Sequence, residues 1–154
     1  MKPYVRIFPH GPEEFPSVDH LMGWLLNGLR GRARRYHFRS KRVDELPMGS
    51  VVLFRYWDSI VGEAIVSKEP VWEQERERTW SGEEVEYVGH VTFAPSSIRL
   101  YSPPLPALCL QQLMEDSGVG KDILKGAQLH VKLDNWDIYP RIMQAVVSQG
   151  GFIQ

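Results

Sequence analysis

From Val51 to Ser67 the chain reads VVLFRYWDSIVGEAIVS, two runs rich in β-branched and aromatic residues on either side of Asp58-Ser59. The composition of Val51–Trp57 is that of a strand, and Ile60–Ser67 is a second one. A connection this short leaves only antiparallel pairing, so the two runs form a hairpin around which the rest of the fold must be built. Pro47 and Gly49 mark the turn ahead of it. Gly62, inside the second run, marks a bulge or a close backbone approach.

The flanking segments supply further strands and a helical cover. Tyr4–Phe8 (YVRIF) alternates as a short strand closed by Pro9, Gly11 and Pro12. Val18, Leu21, Met22, Leu25, Leu26 and Leu29 recur at helical spacing, with Ser17 as N-cap, Gly28 and Gly31 near the end, and Trp24 at the margin of the stripe. Val85–Phe93 and Ser97–Tyr101 read as strands around a turn at Ala94–Ser97, and SPPLP is expected to stop sheet formation because proline cannot donate to a ladder. Leu105–Met114 reads as a helix with Leu105, Leu108, Cys109 and Leu113 on its apolar side, ended by Ser117 and Gly118. Gln128–Leu133 alternates as a strand. Tyr139–Gln149 then closes the chain as a helix with Pro140 in its first turn and Ile142, Met143, Val146 and Val147 inward. About six strands with short connections, one early helix and two late ones predict an α+β domain, a curved mixed sheet or small β-barrel with flanking helices, spanning residues 1–154 as one unit.

Charge is distributed unevenly. The net charge is −1, yet GLRGRARRYHFRSKR, Gly28 to Arg42, holds seven of the eighteen Lys and Arg residues and no acid. Glu69–Glu86 carries seven Glu against Arg76 and Arg78, a net of 2 − 7 = −5, and with Ser81-Gly82 reads as a mobile excursion between strands. Trp72 and Trp80 within it either fold the segment back on the body or cover a ligand. The start of the chain lacks the apolar run of a signal peptide, and no run approaches the ~18 apolar residues of a membrane span. A cytoplasmic protein without a membrane partner is expected. The single cysteine, Cys109, forms no internal disulfide, and the five histidines do not sit at ligand spacing, so neither metal nor cofactor is expected.

The stretch GSVVLFRYWDSIVGEAIV, Gly49 to Val66, resembles the hairpin of the PUA-like superfamily, the group that includes EVE, ASCH, YTH and SRA domains. VTFAPSSIRLYSPPLP, Val91 to Pro106, resembles the later strands of such domains, and YHFRSK, Tyr36 to Lys41, resembles the entry loop of some PUA-like modules; the early helix has no counterpart. The resemblance runs from about Tyr36 to the C-terminus. It implies a pseudobarrel that binds RNA or DNA, in several branches by holding one modified base in an aromatic pocket.

Nucleic-acid binding needs cations for phosphates and aromatic faces for bases. Arg30, Arg32, Arg34, Arg35, Arg39, Lys41 and Arg42 are the candidate phosphate contacts, interleaved with Tyr36, His37 and Phe38. If that segment is extended, Tyr36 and Phe38 share one face opposite Arg35 and His37. A base pocket needs a ring to stack on and polar groups for the base edge. Tyr36, His37 and the hairpin tip Tyr56, Trp57, Asp58 and Ser59 are the candidates; Trp72, Trp80 and Trp136 are weaker ones. The bland alternatives are a solvated basic connector, Tyr56 or Trp57 as half-buried core, and Asp58-Ser59 as a plain turn.

Catalysis finds less support. Cys109 belongs to an apolar helical pattern, Glu63 and Glu86 are an acid–base pair only if they face each other across strands, and GVGK, Gly118 to Lys121, lacks the flanking residues of a phosphate loop and reads as a helix-ending turn. The expectation is therefore a non-catalytic nucleic-acid-binding module. A protein-interaction or regulatory domain that docks a basic partner on Glu69–Glu86, or a nucleoside-like small-molecule hydrolase of ASCH-like type, is the alternative. Oligomeric state is not legible.

Overall fold

Both faces of the central strands are apolar, so the sheet must be covered on both sides. In the computed structural model, which describes residues 2–32, 35–39, 45–126 and 130–153, Val5 and Ile7 of β1 (Val5–His10) and Val51 and Leu53 of β3 (Val51–Tyr56) pack into one core. Their alternating neighbours Phe8, Val52 and Phe54 pack into another. The first core is covered by α2 (Ala107–Asp116) and α3 (Ile138–Gln149), through Leu110, Met114, Ile142 and Val146. The second is covered by Leu21, Leu25 and Leu29 of the early helix. Each fully buried side chain of this size contributes about 1.5–3 kcal/mol.

The remaining strands are β2 (Tyr36–Phe38), β4 (Ser59–Val71), β5 (Glu75–Arg78), β6 (Glu84–Tyr87), β7 (Gly89–Phe93), β8 (Arg99–Pro106) and β9 (Val131–Leu133). Among the described residues seven strands form one mixed sheet in the order β2-β7-β4-β3-β1-β9, with β8 also on β4. β1 and β3 are parallel, because the early helix lies between them as a crossover. Phe8 of β1 nevertheless meets Tyr36 and Phe38 of β2, with ring centroids 5.1 and 5.7 Å apart. The sheet curls strongly around these rings. Among the described residues β2 and β9 do not pair, so the sheet does not close and the small-barrel alternative is corrected. The α+β class with a curved mixed sheet stands.

The early helix starts at Val18, where Ser17 Oγ accepts from the His20 N–H. After α1 (Val18–Gly23) the turns widen into a π-helix over Trp24–Arg30, ending with Gly31 N–H donating to Leu26 O. Trp24 lies against Gly28, where a Cβ would come 3.0 Å from the indole Cδ1. At Gly62 an added Cβ would meet Arg99 O at 2.5 Å, and the ladders of β4 with β3 and β8 shift register beside it, so the expected close approach is real.

Four expectations are corrected. The acidic stretch is an ordered hairpin: β5 and β6 pair with Arg76 opposite Glu86 and Arg78 opposite Glu84, so alternating charges neutralise one another across the ladder. The prolines do not end the sheet. β8 continues to Pro106, and the ladder skips Tyr101–Pro104 between Leu100 and Leu105, so Pro103 and Pro104 sit where no donor is needed. The β3–β4 turn is Trp57-Asp58, with Trp57 at φ 51° and Tyr56 paired to Ser59. In α2 and α3 the inward faces are rotated: Leu108 and Val147 are exposed, whereas Leu110, Gln111 and Met114 are buried. Of the strand expected over Gln128–Leu133, Val131–Leu133 is described and residues 127–129 lie outside the described residues. No described helix is long and apolar enough to cross a membrane.

Candidate functional site

The curl of the sheet leaves a cavity of ≈340 Å³ at the open end of the second core. β1 brings His10 to its floor, and β2 brings Tyr36 and His37. The π-helical turn supplies Trp24, the loop after β1 supplies Glu14 and Phe15, and the β5–β6 hairpin supplies Glu77, Trp80 and Tyr87 as the outer wall. Trp80 Nε1–H donates to Pro12 O at 3.3 Å, tying the hairpin to the loop across the mouth while the ring stays largely exposed. Trp72 presses on Phe38 at 5.7 Å. The tryptophans therefore fold the acidic segment back on the body, and Trp80 also lines the cavity.

The polar floor has a fixed arrangement. His10 is fully buried, and burial, opposed by its backbone hydrogen bonds, lowers its pKa to about 4. It is neutral at pH 7. Its Nδ1–H donates to Arg55 O at 3.2 Å, which leaves Nε2 to accept from the Tyr36 hydroxyl at 2.7 Å. Burial also holds the Tyr36 hydroxyl protonated, with the Glu14 charge in the same sense. Glu14 is half-buried, and desolvation raises its pKa against the opposing charge of Arg39. The cavity thus offers aromatic walls, one carboxyl group and a tyrosine whose proton is committed inward.

Of the expected base-pocket residues, the structure brings Tyr36 and His37 to the cavity. As alternation required, Tyr36 and Phe38 share one face; it is the core face, and Arg35 is exposed. The hairpin tip lies elsewhere: Trp57 O accepts from Arg55 Nε, Asp58 O accepts from Ala107 N–H, and Ser59 begins β4. Tyr56 supports the cavity from behind, its hydroxyl donating to Phe15 O at 2.9 Å. Trp136 packs on Tyr139. Among the cations, Arg30 ends the π-helix, Arg32 is exposed, and Arg39 pairs with Glu13 at 3.6 Å and touches the charge balance of Glu14 and Tyr87. Arg34, Lys41 and Arg42 lie outside the described residues.

Sequence spacing missed His10, Glu14, Trp24 and Tyr87, which come from separate elements and meet only on folding. It also missed a donor set beside the cavity. His37, Glu75 and His90 approach one another from three strands. The other sequence candidates find structural explanations. Glu63 does not face Glu86; it is buried and accepts from the Tyr101 hydroxyl at 2.8 Å, the Tyr139 hydroxyl at 2.5 Å and Arg99 at 3.1 Å. Gly118, at φ 75°, ends α2 as its helix-ending turn. Cys109 is half-buried in α2 against the core on the other face of the sheet.

No family model, no curated protein and no solved structure matches the chain.

Proposed function

We propose that the protein is a non-catalytic nucleic-acid-binding module that takes one unstacked base into the His10–Tyr36 cavity, with the arginines of Gly28–Arg42 on the backbone phosphates. The observation that carries this reading is the cavity itself. Its ≈340 Å³ lies within the ~300–1,000 Å³ usual for small-ligand sites. Trp24, Tyr36, Trp80 and Tyr87 offer ring faces, and the Glu14 carboxyl offers a polar contact for a base edge. The segment with the highest density of positive charge in the sequence leads directly into β2, so cations and rings belong to the same piece of chain. The PUA-like pattern of Gly49–Val66 agrees with this use of a base pocket.

A hydrolase is less favoured by the same geometry. Both ring nitrogens of His10 are committed, and Cys109 lies on the other face of the sheet. The acidic hairpin neutralises part of its charge internally, which weakens it as a dock for a basic partner.

The test is fluorescence anisotropy with labelled single-stranded RNA and DNA over a salt series. Each phosphate neutralised on a single strand contributes about −0.7 to the log–log slope, so seven cations set a limit of about −5. Trp80→Ala and Tyr87→Ala are expected to weaken binding by about 1–3 kcal/mol each, the value of one stacked base. Unchanged affinity after joint replacement of Arg32, Arg34 and Arg35 by Ala overturns the proposal.

A further inference from the structure

The antiparallel register of β2 on β7 sets His37 directly opposite His90. Glu75, the first residue of β5, lies over this pair with one carboxylate oxygen toward each ring: Oε2 is 2.6 Å from His37 Nε2, and Oε1 is 4.0 Å from His90 Nδ1. All three donor groups lie within 4.8 Å of one another. His90 is only 5% exposed, and its Nδ1 has no hydrogen-bond partner among the described residues. That atom is the anomaly, because buried polar atoms are nearly always hydrogen-bonded. In one tautomer Nδ1 turns a lone pair toward the Glu75 carboxylate, which is repulsive, and in the other it holds an N–H 4.0 Å from that carboxylate, too far for a hydrogen bond. A cation between the ring and the carboxylate removes the conflict.

We propose that His37, Glu75 and His90 bind a divalent transition ion of zinc type. Two imidazoles and one carboxylate suit such an ion, whereas magnesium prefers oxygen donors and retained water. With bonds of about 2.0–2.2 Å, tetrahedral donors stand about 3.3 Å apart. The 2.6 and 4.0 Å separations lie on either side of that value, so one contact opens and the other closes by less than an ångström. Three protein ligands leave a fourth position for water or an exogenous group. The ion fastens the β5–β6 hairpin, which carries Trp80 and Tyr87, to the β2–β7 edge. Arg35 is the neighbouring cation that lowers the affinity, and Glu73 the acid that offsets it. The proposal stands whether or not the cavity takes a base.

Isothermal titration of the metal-free full chain with zinc chloride is expected to show one saturable site, with a rise in Tm that EDTA reverses. His37→Ala and Glu75→Gln each weaken it at least about tenfold, the scale expected when a metal site loses a supporting group, whereas Glu86→Gln, on the same hairpin but opposite Arg76 in the ladder, binds as the wild type does. Magnesium chloride gives no saturable binding. Cobalt(II) supplies a readout on the wild type alone: nitrogen-coordinated d–d bands appear at one equivalent. Absence of saturable zinc binding, zinc affinity unchanged in His37→Ala and Glu75→Gln, magnesium binding as tight as zinc, or cobalt spectra of the aquo ion each overturn the proposal.

Discussion

Lowering the pH tests the floor of the cavity through His10. In the unfolded chain this histidine titrates near its ordinary value of 6.5, and in the folded protein near about 4. The folded state is the one that resists the proton, so the unfolded chain binds more protons between these values and stability falls as pH falls. The contribution is fully present above pH 6.5 and is lost progressively down to about pH 4. A shift of about 2.5 units at 1.36 kcal/mol per unit gives a loss of about 3 kcal/mol. The physical origin is that a proton on Nε2 displaces the Tyr36 hydroxyl as donor and places a charge beneath Phe15, Tyr36 and Phe54. Urea denaturation at half-unit intervals from pH 7 to 4 isolates the effect when wild type and His10→Gln are compared, because the carboxylates titrate in both. The gap between their stabilities should narrow by about 3 kcal/mol on going to pH 4. Parallel pH profiles, or an NMR titration of His10 centred near 6.5, refute the assignment of its buried, neutral state.

Other outcomes follow from single contacts. Glu63→Ala leaves the Tyr101 hydroxyl buried without its acceptor and removes the partner of Arg99, and urea denaturation should show a loss of at least about 3 kcal/mol; Glu63→Gln should recover part of it. Gly62→Ala forces a Cβ to 2.5 Å from Arg99 O, so the β4–β8 ladder must move, and thermal denaturation should register a cost above the ~1–3 kcal/mol of ordinary overpacking. Ser17→Ala removes the N-cap of α1 and should cost about 1 kcal/mol with no change in fold by circular dichroism. Trp80→Phe keeps a ring but loses the bond to Pro12 O, and hydrogen exchange at the hairpin turn Thr79–Glu83 should quicken.

Local pattern determined much of the chain. Alternation and turn residues marked β1, β3 and β4, the helical stripe marked the early helix down to its Ser17 cap, and α2 and α3 fell close to their expected places, because these signals act between residues a few positions apart. That Tyr36 and Phe38 share one face was also legible, since a strand has only two sides, whereas packing decided that this face is the core one. Where local rules misled, a distant partner had changed the terms. SPPLP stayed in the sheet because the β4 ladder skips Pro103 and Pro104, and the arginines of the acidic run face glutamates across β5 and β6. The cavity and the His37–Glu75–His90 cluster belonged wholly to tertiary structure. They depend on β2 leaving its sequence neighbours to pair with β7, and on Trp80 reaching back to Pro12. Sequence spacing carries no record of such pairings, since the free energy that selects them comes from burying rings contributed by five separate elements.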